Sequence, residues 1–105
     1  MTTFDKRENA YEGKFAHEAD VEFKVTARRN KLLGMWAATR LKLTPEEADA
    51  YAKSVIAADF EEAGHEDVFR KVYGDITAAG VSVSEHEVRA QMEALLDTAR
   101  RQIVV

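Results

Sequence analysis

The chain has 105 residues, no cysteine, one proline and a net charge of −4, and charged residues make up 32% of it. This composition is that of one soluble globular domain, and the lack of cysteine excludes disulfides, a thiolate nucleophile and a cysteine-ligated metal. No segment approaches the ~18 apolar residues of a membrane span, and the first residues lack the apolar run of a signal peptide, so we expect a cytoplasmic protein without direct membrane insertion.

The charges are unevenly distributed along the chain. Residues 21–42 hold six basic side chains and one acidic, whereas residues 43–105 hold six basic and thirteen acidic. The simplest interpretation is an internal electrostatic match between a basic first helix and the acidic remainder. The alternative is that the basic region binds an external anion, such as the phosphates of a nucleotide.

Three aromatic residues stand among charged and small residues at the N-terminus: Phe4, Tyr11 and Phe15. At 100° per residue they fall within roughly 40° of one another on a helix. Gly13 lowers helix stability here by roughly 1 kcal/mol relative to alanine, and an isolated helix of this length is marginal in water. We interpret residues 1–17 as an arm that is disordered or loosely helical when free and binds a partner. The alternative is an arm that folds back onto the core.

A second apolar stripe continues helix 1 to about Leu41. Its members are Val21, Val25, Leu32 and Trp36. On an ideal helix this stripe is rotated by roughly 80° from the aromatic one. The rotation predicts that the second stripe packs the core of the protein and that the aromatic stripe is available to a partner.

Helix 2 has a clear start. Thr44 is the predicted N-cap, Pro45 occupies the first helical position, and Glu47 can close a capping box. The apolar spacing continues through Phe60, and Gly64 is the predicted left-handed C-terminal cap. This pattern predicts a helix from Pro45 to the residue before Gly64.

Helices 3 and 4 follow after short connections. Helix 3 begins near His65 and ends at Gly80, and Ser84 with Glu87 forms a second capping box that opens helix 4. Short connections place consecutive helices side by side and antiparallel. The sequence therefore predicts an all-α fold, a small four-helix bundle over residues 18–105 with the mobile N-terminal arm extending helix 1.

The sequence offers no constellation for catalysis. The three histidines, His17, His65 and His86, lie in three different helices or at their ends. There is one Glu-x-x-His, formed by Glu62 and His65, whereas a di-iron bundle needs two such motifs and two further glutamates. We predict no catalytic residue, no metal site and no enzyme activity.

One basic cluster could bind an anion. Arg28 and Lys31 are neighbours on a helix, while Arg29 points elsewhere. Without a phosphate loop, such a cluster would bind ATP or ADP only weakly, and we expect no other cofactor. The overall acidity of the chain argues against nucleic acid as a partner.

Three stretches of this chain are similar to a known family. They are Phe4-x-x-Arg7-Glu8-x-Ala10-x-Glu12-x-Lys14-Phe15-Ala16, Phe23-Lys24-x-x-Ala27-Arg28-Arg29-Asn30-x-Leu32-Leu33-Gly34-x-Trp36-Ala37-Ala38, and Asp59-Phe60-Glu61-Glu62-Ala63-Gly64-x-Glu66-Asp67-Val68-x-Arg70-Lys71. On these residues the chain resembles the small inhibitory zeta subunit of the F1F0-ATP synthase of alphaproteobacteria. The resemblance covers nearly the whole chain and is densest up to residue 71.

The resemblance implies an inhibitor of ATP hydrolysis. In the family, the N-terminal arm enters a catalytic α/β interface of F1, becomes helical there and blocks rotation in the direction of hydrolysis. It implies a monomer whose partners are the α, β and γ subunits of F1, peripheral to the inner membrane when bound. The alternative class is a nucleotide-sensing bundle that uses the basic cluster. The partner-binding residues carried over are Phe4, Arg7, Glu8, Tyr11, Lys14 and Phe15.

Overall fold

The structure, a computed structural model, describes the backbone of residues 3–60 and 65–104 and the side chains of residues 19–60 and 65–103. Its four helices are α1 (Thr3–Arg40), α2 (Pro45–Ala58), α3 (Glu66–Ala78) and α4 (Glu85–Val104). The described backbone contains no strand. The prediction of an all-α, four-helix protein is confirmed, and the mobility of the arm stays a prediction.

Helix α1 is the common neighbour of the other three helices. It packs mainly against α2 and α4 and to a smaller extent against α3. Its contact with α2 is close at Gly34, where an added Cβ atom would lie 2.6 Å from the Cα atom of Ala52. The molecule is elongated, with principal extents of 64 × 24 × 22 Å. The long dimension follows from α1, because 38 helical residues span roughly 57 Å.

The buried face of α1 differs from the predicted one. It runs along Val25, Arg29, Leu33 and Ala37, which are all at most 2% exposed. Val21, Leu32 and Trp36 are only half-buried. The four buried residues are spaced four apart and form a ridge on the helix. The ridge includes Arg29, a charged residue that a search for apolar positions does not select. On the 100° wheel, the line through Arg29 and Leu33 lies within roughly 40° of positions 4, 11 and 15. The predicted core stripe is therefore wrong except at Val25, whereas the aromatic stripe stays a prediction because its side chains lie outside the described residues.

The ends of α1 and α2 show why each helix stops. After α1, the N–H of Leu43 donates to the carbonyl of Ala38 at 3.0 Å, and Lys42 has a φ of +59°. This is a Schellman motif in which lysine takes the left-handed position that glycine usually occupies. The predicted capping box then opens α2, since Thr44 and Glu47 exchange both of its hydrogen bonds.

The predicted end of helix 2 is wrong. The helix ends at Ala58, and the N–H of Phe60 donates to the carbonyl of Ala57 at 3.2 Å in a tighter turn. The Asp59 side chain is held there by the Nδ2 atom of Asn30, which donates to its Oδ2 atom at 3.0 Å. Phe60 is consequently 68% exposed instead of lying in the core. Gly64, the predicted cap, lies outside the described residues.

The second capping box forms only in part. The N–H of Glu87 donates to the Oγ atom of Ser84 at 3.0 Å, but the Glu87 carboxylate accepts from Arg40 at 2.6 Å. Helix α3 begins and ends as predicted, with Gly80 at a φ of +78°. The core lies where α3 and α4 meet the C-terminal half of α1 and the middle of α2. Its buried members are Leu33, Ala37, Val55, Val68, Phe69, Val72, Ile76, Val88 and Met92.

Candidate functional site

The N-terminal part of α1 extends beyond the other helices. At 1.5 Å per residue, α4 spans roughly 30 Å, and α2 and α3 roughly 20 Å each. The α1–α4 pair is tied at one end by Arg40 and Glu87 at 2.6 Å, and at the other by Arg100 and Glu22 at 2.5 Å. Since α4 ends at Val104, the helices of the described chain are too short to run beside the first ~18 residues of α1.

The predicted partner-binding residues lie on this extension. The backbone there is helical from Thr3, so it places these positions on a helix that continues into the bundle without a break. Their side chains are outside the described residues, and their role in binding stays a prediction. They are Phe4, Arg7, Glu8, Tyr11, Lys14 and Phe15.

A buried polar cluster joins α1 to the turn between α2 and α3. Arg29, which is 2% exposed, donates from Nε to Oδ1 of Asn30 at 2.7 Å, and its Nη2 atom lies 2.8 Å from Nδ1 of His65. Burial lowers the pKa of Arg29, and the nearby Asp59 carboxylate partly opposes this shift. Since the guanidinium of Arg29 can only donate, this contact requires Nδ1 of His65 to accept. The cluster therefore fixes the start of α3 against α1.

The basic cluster predicted from the sequence does not converge on one point. Arg29 is buried, whereas Arg28 and Lys31 are exposed. Nη1 of Arg28 donates to Oε1 of Gln102 on α4 at 3.4 Å. The three cations therefore do not surround a common site for a phosphate, and the nucleotide site that they were predicted to form stays a hypothesis.

A cavity of about 370 Å³ lies beside the buried cluster, and its walls include cations from α1 and α4. Arg89 is already engaged there, because it donates to both carboxylate oxygens of Glu66 at 2.9 and 3.1 Å. The same guanidinium lies 3.9 Å from the centre of the Phe69 ring. This pair lowers the pKa of Glu66 and raises the pKa of Arg89. The lining includes Arg29, His65, His86, Arg89, Met92 and Glu93.

The histidines and acidic residues form no candidate metal centre in the part of the chain whose side chains are described. The described acidic residues around the turn between α2 and α3 have separate partners: Asp59 accepts from Asn30, Asp67 pairs with Arg70, and Glu66 pairs with Arg89. His17, Glu61 and Glu62 lie outside the described side chains. His65, at the start of α3, contacts Arg29.

Two exposed phenylalanines form a surface that the sequence analysis missed. Phe23 is 57% exposed and Phe60 is 68% exposed, and their ring centroids are 6.1 Å apart. Periodicity assigned Phe60 to the core because it extends the apolar spacing of α2. The only sequence feature pointing the other way is its position after Asp59, a residue that favours helix ends and turns.

The fold is that of a small all-α protein with one helix much longer than the others. A family model described as ATPase inhibitor subunit zeta matches residues 1–102. The chain belongs to the ATPase inhibitor subunit zeta family. It is therefore a regulatory protein and not an enzyme, and its partner is the F1 part of ATP synthase.

The fold is also similar to an experimental structure. A solution NMR structure of a protein 52% identical in sequence superposes with a TM-score of 0.71, over 79% of this chain and 94% of the other. Comparison with curated proteins gives no match. None of the described helices is both long enough and apolar enough to cross a membrane.

Proposed function

We propose that this protein inhibits ATP hydrolysis by F1 through residues 1–17, which insert at a catalytic α/β interface and block rotation of the γ subunit. The observation that carries the proposal is the length of α1, which exceeds that of α4 by eighteen residues. Because none of the other described helices is long enough to accompany this extension, its apolar positions are free to meet another protein.

The face of α1 that is buried in the structure differs from the predicted one. The arm is therefore available for another reason than its rotation about the helix axis. Positions 4, 11 and 15 continue the line of the buried face of α1, so their rotation does not separate them from the core. Their distance along the axis separates them from the core, because α4 ends four residues beyond the Arg100–Glu22 pair, at about the level of residue 18 of α1. A helix that carries one apolar line from its core to its free end presents a ready recognition face for a groove between subunits.

The charge pattern of the arm suits a protein interface. Residues 1–17 contain Lys6, Arg7 and Lys14 together with Asp5, Glu8 and Glu12. A mixture of both signs matches the polar walls of a subunit interface better than it matches a lipid surface or nucleic acid. Inhibition of the synthase in this way would keep the protein in the cytoplasm, peripheral to the inner membrane when bound.

The test is to remove the arm from an otherwise intact protein. A chain beginning at residue 18 retains every buried residue of the core, so we expect it to fold with an unchanged helical signal per residue in the bundle. It should not inhibit ATP hydrolysis by an alphaproteobacterial F1 at concentrations where the full chain inhibits completely. In the full chain, Phe4→Ala with Tyr11→Ala should weaken inhibition by at least about tenfold, since aromatic anchors carry much of such binding energy.

Steady-state ATPase assays measure both effects, and circular dichroism confirms the fold of each variant. Thr98→Ala, at a half-buried position on α4, is a control that should inhibit like the wild type. If the shortened chain inhibits as well as the full chain, the arm is not the inhibitory element.

The cavity beside Arg29 favours a second candidate function, weak binding of ATP or ADP. It brings two arginines and two histidines to one hollow of about 370 Å³. Both guanidinium groups are already hydrogen-bonded, Arg29 to Asn30 and His65 and Arg89 to Glu66. A phosphate would have to displace these partners, so this candidate is the weaker one.

A further inference from the structure

The two exposed phenylalanines form one surface, which we call the Phe23–Phe60 patch. Large exposed hydrophobic side chains are few in the described part of the chain: Phe23, Met35 and Phe60. Two of these three contact each other across α1 and the end of α2. Contiguous apolar surface of this kind, surrounded by polar residues, is typical of protein contact sites.

The patch contains a small preformed notch. A hollow of about 80 Å³ lies between the two rings, and its walls include Ala27 of α1 and Ile56 of α2. Asp59 also borders it, but its carboxylate already accepts from Asn30. Four of the seven residues that line the hollow are apolar, namely Phe23, Ala27, Ile56 and Phe60, and there is room for part of one apolar side chain.

The position of the patch ties it to the binding of the arm. Phe23 lies six residues beyond residue 17 on the same unbroken helix, which corresponds to about 9 Å along the axis. Any protein that encloses residues 1–17 must come within that distance of Phe23. The surface around the mouth of its groove is thus the surface nearest to the patch.

The charges beside the patch indicate the chemistry of that surface. Lys31 lies one helical turn beyond Ala27 on the ridge that carries Phe23; it is exposed and forms no ion pair with another described side chain. The other lysine nearby, Lys24, is paired with Asp20 at 3.0 Å. An acidic side chain on the partner would therefore complement Lys31.

We propose that the Phe23–Phe60 patch is a second docking site for the ATPase, which receives an apolar side chain next to an acidic one at the rim of the groove that holds the arm. This inference rests on the proposed function, because the arm brings the patch to that rim. The patch holds the inhibitor in place, while the arm blocks the enzyme.

The test compares full-length variants in the ATPase assay. Phe23→Ala combined with Phe60→Ala should raise the concentration for half-maximal inhibition by at least about tenfold. Inhibition at saturation should stay complete because the arm is intact. Both rings are already more than half exposed, so the melting temperature should stay close to that of the wild type. Met35→Ala, at a side chain that is 41% exposed elsewhere on α1, is the matched control and should inhibit like the wild type.

The outcomes separate this inference from the proposed function. If the Phe4 and Tyr11 variant loses inhibition but the Phe23 and Phe60 variant matches Met35→Ala, the patch is not a docking site and the arm proposal stands. If the wild type does not inhibit at all, the arm proposal fails. Binding of the full chains to immobilised F1 then tests whether the patch is a docking site. Weaker binding of the Phe23 and Phe60 variant supports the docking site, and equal binding overturns it. Loss of self-association in sedimentation, with inhibition unchanged, would assign the patch to a second copy of this chain and overturn the proposal.

Discussion

Single residues on α1 decide how closely the helices approach and what lies between them. Arg29 occupies the centre of a ridge whose other members are Val25, Leu33 and Ala37. The four-residue spacing could have been read from the sequence, but a search for apolar side chains passes over an arginine. Its burial depends on Asn30, the next residue of α1, and on Asp59 and His65 at the turn between α2 and α3. This convergence is tertiary and cannot be read from local patterns.

Gly34 is the residue that permits the close α1–α2 contact. An alanine there would bring Cβ to 2.6 Å from the Cα atom of Ala52, so the two backbones would have to separate. We expect Gly34→Ala to lower the free energy of unfolding by about 1–3 kcal/mol, as overpacking does. Urea denaturation followed by circular dichroism measures the change.

Gly74 provides the matched control on α3. A Cβ atom added there meets no heavy atom within 4 Å, and alanine is the better helix former. Gly74→Ala should therefore raise the free energy of unfolding by roughly 0.5–1 kcal/mol. Changes of the same sign in both variants would contradict this account of the α1–α2 contact.

Helix boundaries show which elements the sequence predicts well. The cap formed by Thr44 and Glu47 was predictable because all of its partners lie within four residues. The cap at Ser84 was only half predictable, since Glu87 bonds instead to Arg40, which is distant in sequence. The end of α2 was not predictable from periodicity, because it depends on the hydrogen bond from Asn30 to Asp59. The sequence thus predicts hydrogen bonds between neighbouring residues, but it does not predict when a residue distant in sequence takes one of the partners.

The capping box of α2 predicts a pH dependence of stability. Hydrogen bonds from the backbone N–H and then the side chain of Thr44 lower the pKa of Glu47 from its usual 4.5. A lowered pKa in the folded state gives stability that is present above the unfolded value and is lost as the pH falls through the folded value. We expect Glu47→Gln to reduce the loss of stability below about pH 4.5.

Denaturant titrations between pH 3 and pH 7 measure this effect. Glu46→Gln, one residue earlier, removes a first-turn carboxylate that takes no part in the capping box. This variant should keep the difference in the free energy of unfolding between pH 7 and pH 3 nearer to that of the wild type. An equal change in the two variants would mean that general first-turn charge, and not the box, determines the acid sensitivity.

At the scale of the whole molecule, α1 is both the core helix and the carrier of the arm. The predicted electrostatic match between α1 and the rest of the chain is present at Arg40, which pairs with Glu87. Other cations of α1 use different partners: Lys24 pairs with Asp20 on the same helix, and Arg29 lies in the buried cluster. The distribution of charge along the sequence therefore predicted that α1 attracts the rest of the chain, but it did not predict which residues form ion pairs.

The difference in packing along α1 predicts a gradient of local stability. An unaccompanied helix is marginal in water, whereas the core positions lie among buried neighbours. Amide hydrogens of residues 3–17 should exchange rapidly in the free protein, and those of Leu33, Val55, Val72 and Val88 should exchange slowly. Hydrogen exchange followed by NMR measures both sets, and addition of F1 should slow exchange in residues 3–17. Equal protection of the two sets in the free protein would contradict the assignment of residues 1–17 as an arm.

Helix α1 runs without a break from Thr3 to Arg40, so it fixes both the distance and the rotation between its two ends. Each residue of a helix advances the chain by about 1.5 Å and turns it by roughly 100°. The number of residues between Tyr11 and Phe23 therefore sets both the reach of the tip and the angle at which the bundle meets whatever holds that tip. One added residue would swing the bundle to a different side, whereas seven would lengthen the reach and change the angle by only about 20°. The number of residues in this segment thus determines how the bundle is oriented relative to the partner that holds the tip.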